Sequence, residues 1–168
     1  MRFAALVCLA LSLAACGGGS GDSATAGDTV ERVIDGDTIV LANGERVRLV
    51  QIDSPELDGD ECYARAAADD LTAMLPPGTT ITLEADPRLD QVDRYGRLLR
   101  YVHRAGTNVN LELVRRGAAS VWFFDGDRGR YADRLLAAAR DAKAERRGLW
   151  GACPRTRLDP AGAVDTGR

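Results

Sequence analysis

Asp35-Gly36-Asp37-Thr38-Ile39-Val40-Leu41-Ala42-Asn43-Gly44-Glu45-Arg46-Val47-Arg48-Leu49-Val50-Gln51-Ile52-Asp53-Ser54-Pro55-Glu56 is the stretch whose reading decides the fold. Asn43-Gly44 is a two-residue hairpin signal, because both central positions of such a turn take positive φ. Aliphatic and β-branched residues flank it, so 38–41 and 45–52 read as antiparallel strands. Asp35-Gly36 is a second turn, and the β-branched run 29–34 before it reads as another strand. Pro55 limits how far the third strand runs. Pairing Ala42 with Glu45 sets Asp37 against Val50 and Ile39 against Arg48. Asp37 then opens one strand and Asp53 closes the next, at the same end of the hairpin. Strict alternation puts Arg48 and Asp53 on opposite faces. Their convergence therefore requires a bulge or a sharp bend before Asp53.

Farther along, 62–74 is alanine-rich and helical, and Pro76-Pro77-Gly78 stops it. Strands follow at 79–84 and 98–103, with a polar loop over 86–96 between them. A short helix over 108–116 ends at Gly117, its C-cap. The segment 119–124 is apolar and extended. The longest helix covers 128–147, with Tyr131, Leu135, Ala138 or Ala139, and Ala142 as its buried stripe and Gly148 as its stop. This order predicts an α+β domain: a five-stranded, OB-fold-type Greek-key β-barrel with three packed α-helices, over 28–155. Residues 156–168 read as a flexible tail.

The N-terminus reads differently. Arg2 precedes an apolar run over 3–15 that is too short to span a bilayer. Leu13-Ala14-Ala15-Cys16, followed by Gly17-Gly18-Gly19-Ser20-Gly21, resembles the lipobox of bacterial lipoproteins. That resemblance implies a leader over 1–15, lipidation of Cys16, and a Gly/Ser-rich tether over 16–27. The domain would then be exported and held on the outer side of the bacterial cell membrane. A plain secretory leader with a chance cysteine is the alternative. Loss of Arg2 would take the formal charge from −3 to −4. Cys8 leaves with the leader, and Cys62 and Cys153 remain as a pair in an oxidising setting. A disulfide there would close most of the domain. Two free thiols or a soft-metal site are the other options, and His103 as the sole histidine leaves such a site short of ligands.

One histidine also argues against a serine or cysteine hydrolase triad and against a histidine general base. Any base is then a carboxylate, and any metal is oxygen-ligated, hence Ca²⁺ or Mg²⁺. Asp37 and Asp53 can hold such a cation, and the main-chain oxygen of Ser54 can add to it. Glu56 can hold a water on the metal side. Arg48, and Arg97 in Asp93-Arg94-Tyr95-Gly96-Arg97, can each give a charge-assisted fork to phosphate oxygens. The set is a kit for phosphodiester hydrolysis. Taken singly, each motif has a plain reading: Asp-Gly-Asp as a turn, Asp53-Ser54-Pro55-Glu56 as a helix-capping turn, the arginines as a solvated face.

In their joint order, Ile34-Asp35-Gly36-Asp37-Thr38, Arg48 through Glu56, and Asp93 through Arg97 resemble the thermonuclease, or staphylococcal nuclease, family over residues 29–150. The resemblance implies a Ca²⁺-dependent nuclease that cleaves DNA and RNA at the 5′ P–O bond and leaves 3′-phosphate ends. It makes Asp37, Asp53 and the Ser54 carbonyl Ca²⁺ ligands and Glu56 the general base. Arg48 would hold the phosphate, and Arg97 would hold it and assist the leaving oxygen. Tyr95 would lie at the nucleotide, and Arg94 would touch a phosphate. Val121-Trp122-Phe123-Phe124 stands where the family has tyrosines, which keeps ring stacking but removes hydroxyl hydrogen bonds. The negative net charge implies weak substrate affinity with a modest salt slope. No protein partner is evident, and a monomer is expected. The competing readings are a catalytically silent OB-type nucleic-acid-binding module and a Ca²⁺-binding surface lipoprotein.

Overall fold

The computed structural model describes residues 27–167. The leader, Cys16 and nearly all of the tether lie outside the described residues. Five strands make the barrel: β1 (Asp28–Val33), β2 (Thr38–Leu41), β3 (Arg46–Leu49), β5 (Thr80–Glu84) and β6 (Leu98–Arg104). Their order is β3-β2-β1-β5-β6, antiparallel throughout, and a parallel β3–β6 pairing closes the ring. Short strands β4 (Ile52–Asp53) and β8 (Ser120–Val121) pair outside it, and β7 (Thr107–Asn108) extends β6. Helices α1 (Ala64–Met74), α2 (Val109–Arg116) and α3 (Ala132–Ala144) pack on the barrel, followed by the one-turn α4 (Leu149–Ala152). The expected α+β barrel with three helices is the observed architecture.

The hairpin register differs by one residue from the sequence reading. Leu41 N donates to Glu45 O and Gly44 N to Leu41 O, so the loop is Ala42-Asn43-Gly44 rather than two residues. Only Gly44, at φ 86°, takes the left-handed conformation there; this is the three-residue hairpin loop with a glycine bulge. Thr38 consequently faces Arg48, Ile39 faces Val47, and Leu49 N donates to Asp37 O. Ile39, Val47 and Leu49 point into the core with Leu41, Val30 and Tyr101.

The bend that convergence requires is present. After Leu49 the chain leaves the ladder, and Gln51 takes φ 65°. A left-handed residue with a side chain costs about 1 kcal/mol or more. Compensation comes from the buried Gln51 amide. Its Oε1 accepts from Gly129 N (2.8 Å) and the Tyr101 hydroxyl (3.3 Å), and its Nε2 donates to Asp127 O (2.7 Å). Asn110, at the start of α2 and fully buried, satisfies main chain freed by the same bend: its Nδ2 donates to Val50 O and its Oδ1 accepts from Val102 N, both at 2.9 Å.

Two further differences have physical causes. Helix α3 starts at Ala132 rather than 128, because residues 127–130 are tied to the barrel: Gly129 N binds Gln51, and Arg130 N donates to Asp86 Oδ2 at 2.6 Å. Residues 156–167 are folded back instead of hanging loose. Pro160 O accepts from Phe123 N, and Gly167 O accepts from Cys62 N. Cys62 and Cys153 are joined, and together with Ala142, Leu149 and Trp150 they form a small second core.

The crosslink spans 91 residues. The loop-entropy relation gives about 4.6 kcal/mol for a loop of that size. The double variant Cys62→Ala/Cys153→Ala is expected to lower the unfolding free energy by an amount of that order, measured by urea titration. An unchanged midpoint would contradict the assignment of stability to this bond.

Candidate active site

Arg48 organises the site. The residue is 7% exposed and its guanidinium spans the bend: Nη1 donates to Leu49 O (2.9 Å) and Ile52 O (2.8 Å). The same group bridges two carboxylates, Nε to Asp37 Oδ1 at 3.0 Å and Nη2 to Asp53 Oδ1 at 2.5 Å. Both aspartates are buried, 3% and 5% exposed. Guanidinium carries five N–H groups in a fixed fork. Three of them donate hydrogen bonds here and Nε is taken up in the ion pair with Asp37, leaving one N–H on Nη2 for an outside oxygen, so the two-pronged phosphate grip expected of Arg48 is reduced to a single prong.

The Asp35-Gly36-Asp37 turn delivers Asp37. Asp35 Oδ1 accepts from Asp37 N (3.0 Å), an Asx-type turn. A Cβ on Gly36 would lie 2.7 Å from Ser54 Cβ and 2.8 Å from Ala67 Cβ, so the turn sits directly on the loop after β4 and on α1. Ser54 enters the site through its amide, which donates to Asp37 Oδ2 at 2.8 Å. Glu56 stands at the solvent edge, with its own N–H donating to Glu61 Oε2 (3.0 Å).

Across the cleft the loop before β6 forms the second wall. Arg97 is held by Asp93, Nε to Oδ2 at 2.6 Å. Its terminal nitrogens have no protein acceptor among the described residues, so Arg97 offers the free fork that Arg48 does not. Tyr95 is 58% exposed, and the guanidiniums of Arg94 and Arg97 lie 4.8 and 5.4 Å from its ring centre. Arg94 Nη2 also donates to the Tyr95 hydroxyl (2.6 Å). Between the walls runs a cleft of about 310 Å³, lined by Leu89 and Val92 together with Trp122 and Phe124, whose rings meet edge to face. Arg48 and Arg97 also line it. His103 is elsewhere, hydrogen-bonded to Glu84.

The sequence-predicted Asp37, Arg48, Asp53 and Ser54 thus meet in one buried cluster, with Glu56 at its rim and Arg94, Tyr95 and Arg97 opposite. Sequence reasoning gave no role to Asp35, whose carboxyl joins the cluster, or to Gln51 and the amide of Val164, which donates to Asp53 Oδ2 at 2.8 Å. Asp35 was visible in the motif. Gln51 and a main-chain donor carry no sequence signature.

Electrostatics leave the cluster short of positive charge. Burial pushes the Asp53 carboxyl up to about 7, with Asp37 adding to the rise and Arg48 opposing it. Burial and then Asp37 push Asp35 up to about 7, and burial and then Asp37 raise Glu56. Four carboxylates face one buried guanidinium. All the donors are hard oxygens, which fits a divalent cation of the Ca²⁺ or Mg²⁺ type. Among the described residues no group of three or more His, Cys, Asp and Glu side chains stands in ligand geometry. The protein would therefore contribute Asp37 and Asp53, and the remaining shell would fall to main-chain oxygen, water and substrate.

Carboxyls raised in the folded state bind more protons than in the unfolded chain between about pH 4 and 7, so they lower stability as pH rises through that window. Glu84, Asp86 and Asp93, whose carboxyls are lowered, add the opposite slope only below about pH 4. With chelator present, the melting temperature is expected to drop by roughly 5 °C from pH 5 to pH 8. Ca²⁺ should restore it more at pH 8 than at pH 5. A melting temperature that rises over this range in chelator would contradict the charge imbalance. Arg48→Lys is expected to cost about 2 kcal/mol or more in urea unfolding, since lysine cannot span the bend and both carboxylates. Arg97→Lys should change it by less than about 0.5 kcal/mol.

Comparison with known proteins agrees with this geometry. Residues 46–152 match the family model described as staphylococcal nuclease homologue. Endonuclease YhcR of Bacillus subtilis (strain 168) is 36% identical over 136 residues, 72% of this chain and 11% of that protein. Endonuclease YncB of the same organism is 32% identical over 128 residues, 73% of this chain and 60% of its own length. The chain thus spans less than two thirds of each of these relatives. Thermonuclease of Staphylococcus intermedius is 31% identical over 128 residues, 72% of this chain and 74% of that protein. With a barrel closed by β3 and β6, a matching stretch that carries Arg48, Asp53, Glu56 and Arg97, and a relative covered over most of its length, the chain belongs to the staphylococcal nuclease homologue family.

Proposed function

We propose that this protein is a Ca²⁺-dependent nuclease that hydrolyses DNA and RNA at the 5′ P–O bond and leaves 3′-phosphate ends. The observation that carries the reading is Arg48 held between Asp37 and Asp53, with Glu56 at the rim and the free fork of Arg97 across the cleft. Asp37 and Asp53 would hold the cation, with the Ser54 carbonyl added to the set. When bound, the cation supplies charge neutralisation at the phosphate and lowers the pKa of a coordinated water.

The remaining chemistry belongs to side chains. The carboxylate of Glu56 orients a water and accepts its proton as the water oxygen bonds to phosphorus. Its raised proton affinity brings it closer to neutral pH, where a general base works best. Arg48 donates its remaining N–H to a non-bridging phosphate oxygen. Arg97 gives two parallel N–H groups to the phosphate and to the leaving 5′ oxygen as negative charge gathers there. Tyr95 on one wall, and Trp122 and Phe124 on the other, offer ring faces to the bases, a sequence-tolerant mode of holding single strands. Arg94 lies on Tyr95 where the backbone would pass.

The location is likewise a proposal and rests on sequence: export, lipidation at Cys16, and a monomeric domain tethered at the bacterial cell surface. No helix among the described residues is long and apolar enough to cross a membrane.

Incubation of the full-length protein with plasmid DNA and with RNA, in Ca²⁺ or in chelator, tests the function. Cleavage is expected in Ca²⁺ alone, with products whose 5′ ends accept label directly and whose 3′ ends accept label only after 3′-phosphatase treatment. Binding without cleavage would select a silent nucleic-acid-binding module instead. Glu56→Gln is expected to lower turnover by about 10²–10⁴-fold, with little change in DNA affinity. Wild-type turnover in that variant would remove Glu56 as the base.

A further inference from the structure

The two cation-facing carboxylates are held in the same way by partners far apart in sequence. Asp37 Oδ1 faces Arg48 while its Oδ2 accepts from Ser54 N at 2.8 Å. Asp53 Oδ1 faces Arg48 while its Oδ2 accepts from Val164 N, also at 2.8 Å and 111 residues away. In each case a neutral main-chain N–H turns one oxygen outward and aims the other at the centre of the cluster. The donor to Asp37 comes from the loop beside the site. The donor to Asp53 comes from the C-terminal segment.

That segment is seated, not draped. Val164 and Thr166 are buried, Leu158 packs against both cores, and the segment is fixed at two other points by Phe123 N to Pro160 O (2.7 Å) and Cys62 N to Gly167 O (2.8 Å). We propose that the main-chain N–H of Val164 is a positioning donor for Asp53, which makes residues 156–167 a structural part of the active site. The inference rests on the reading of Asp53 as a cation ligand. Donors behind a ligand fix its orientation, and their loss commonly costs about 10–100-fold in metal affinity. A backbone amide suits the task because it brings no charge of its own to compete with a cation, and a carboxylate oxygen with one lone pair engaged still has another to offer.

Three forms of the full-length protein separate positioning from packing. Val164→Pro removes the N–H. Val164→Ala keeps the N–H and trims the packing. A chain ending after Ala161 removes donor and packing together. Ca²⁺ affinity is measured by calorimetry without nucleic acid, alongside the melting temperature in chelator. The expected result is affinity weakened about tenfold or more in Val164→Pro and in the shortened chain, and within about twofold of wild type in Val164→Ala. All three are expected to melt lower, but only loss of the donor should move affinity. Amide exchange at Val164 should be slow in the wild type and fast in Asp53→Ala. Equal affinity in all forms would overturn the proposal. Tighter binding in the shortened chain would also overturn it and make the segment a cover. A wild type that binds Ca²⁺ yet cleaves nothing defeats the nuclease reading and leaves this comparison standing. A wild type that binds no Ca²⁺ defeats both.

Discussion

The arrangement depends on one guanidinium bridging a broken strand. Arg48 sits on β3, yet its donors reach Leu49 O and Ile52 O, on either side of the bend at Gln51. Without the bend, Asp53 would continue the ladder and point away from Asp37. Without Arg48, two buried carboxylates would stand together with no compensating charge, an arrangement that costs several kcal/mol. Backbone geometry and charge therefore fix each other. Burial of Asp37 and Asp53 is tolerable because Arg48 is there, and Arg48 is tolerable in the interior because every N–H but one is hydrogen-bonded or ion-paired.

This constraint divides labour between two arginines that look equivalent in sequence. Arg48 is spent on architecture and keeps a single N–H for a substrate. Arg97 is tethered by Nε alone and keeps its planar end free. A phosphate in the cleft would meet a rigid, charge-saturated group on one side and an uncommitted fork on the other. Differential stabilisation of a transition state favours the uncommitted group, because its hydrogen bonds can form where charge develops rather than where it already exists.

Much of this was legible in the sequence. The turn residues, the β-branched runs and the prolines marked strands and helices at nearly the right places, because local chemistry decides those. The motif residues pointed to one site because hard-oxygen donors and paired guanidiniums have few other joint uses. What failed has a common cause. The hairpin register slipped by one because Asn43-Gly44 reads as a two-residue turn, while Ala42 joins the loop and leaves only Gly44 at positive φ. The bend could be required but not located, since a left-handed Gln51 is set by tertiary partners, Gly129, Tyr101 and Asp127, and not by its neighbours in sequence. The tail looked loose because its anchoring groups are main-chain amides and carbonyls, which every residue has.

The disulfide and the tail belong to the same problem. Val164 reaches Asp53 across 111 residues of chain. Through the Cys62–Cys153 bond the path shortens to about 20 residues, since Cys62 follows Asp53 closely and Cys153 shortly precedes Val164. Loop closure scales as (3/2)RT ln n, so the shortcut lowers the entropic cost of that one contact by about 1.5 kcal/mol. That is comparable to the net worth of a hydrogen bond to a charged group. The crosslink thus does more than stabilise the barrel. It brings the C-terminal segment close enough for a single backbone amide to hold Asp53. That shortcut counts in the unfolded chain; in the folded protein the same contact is also supported by the Phe123–Pro160 and Cys62–Gly167 hydrogen bonds and by the burial of Val164 and Thr166, so crosslink and packing hold the tail at the site together.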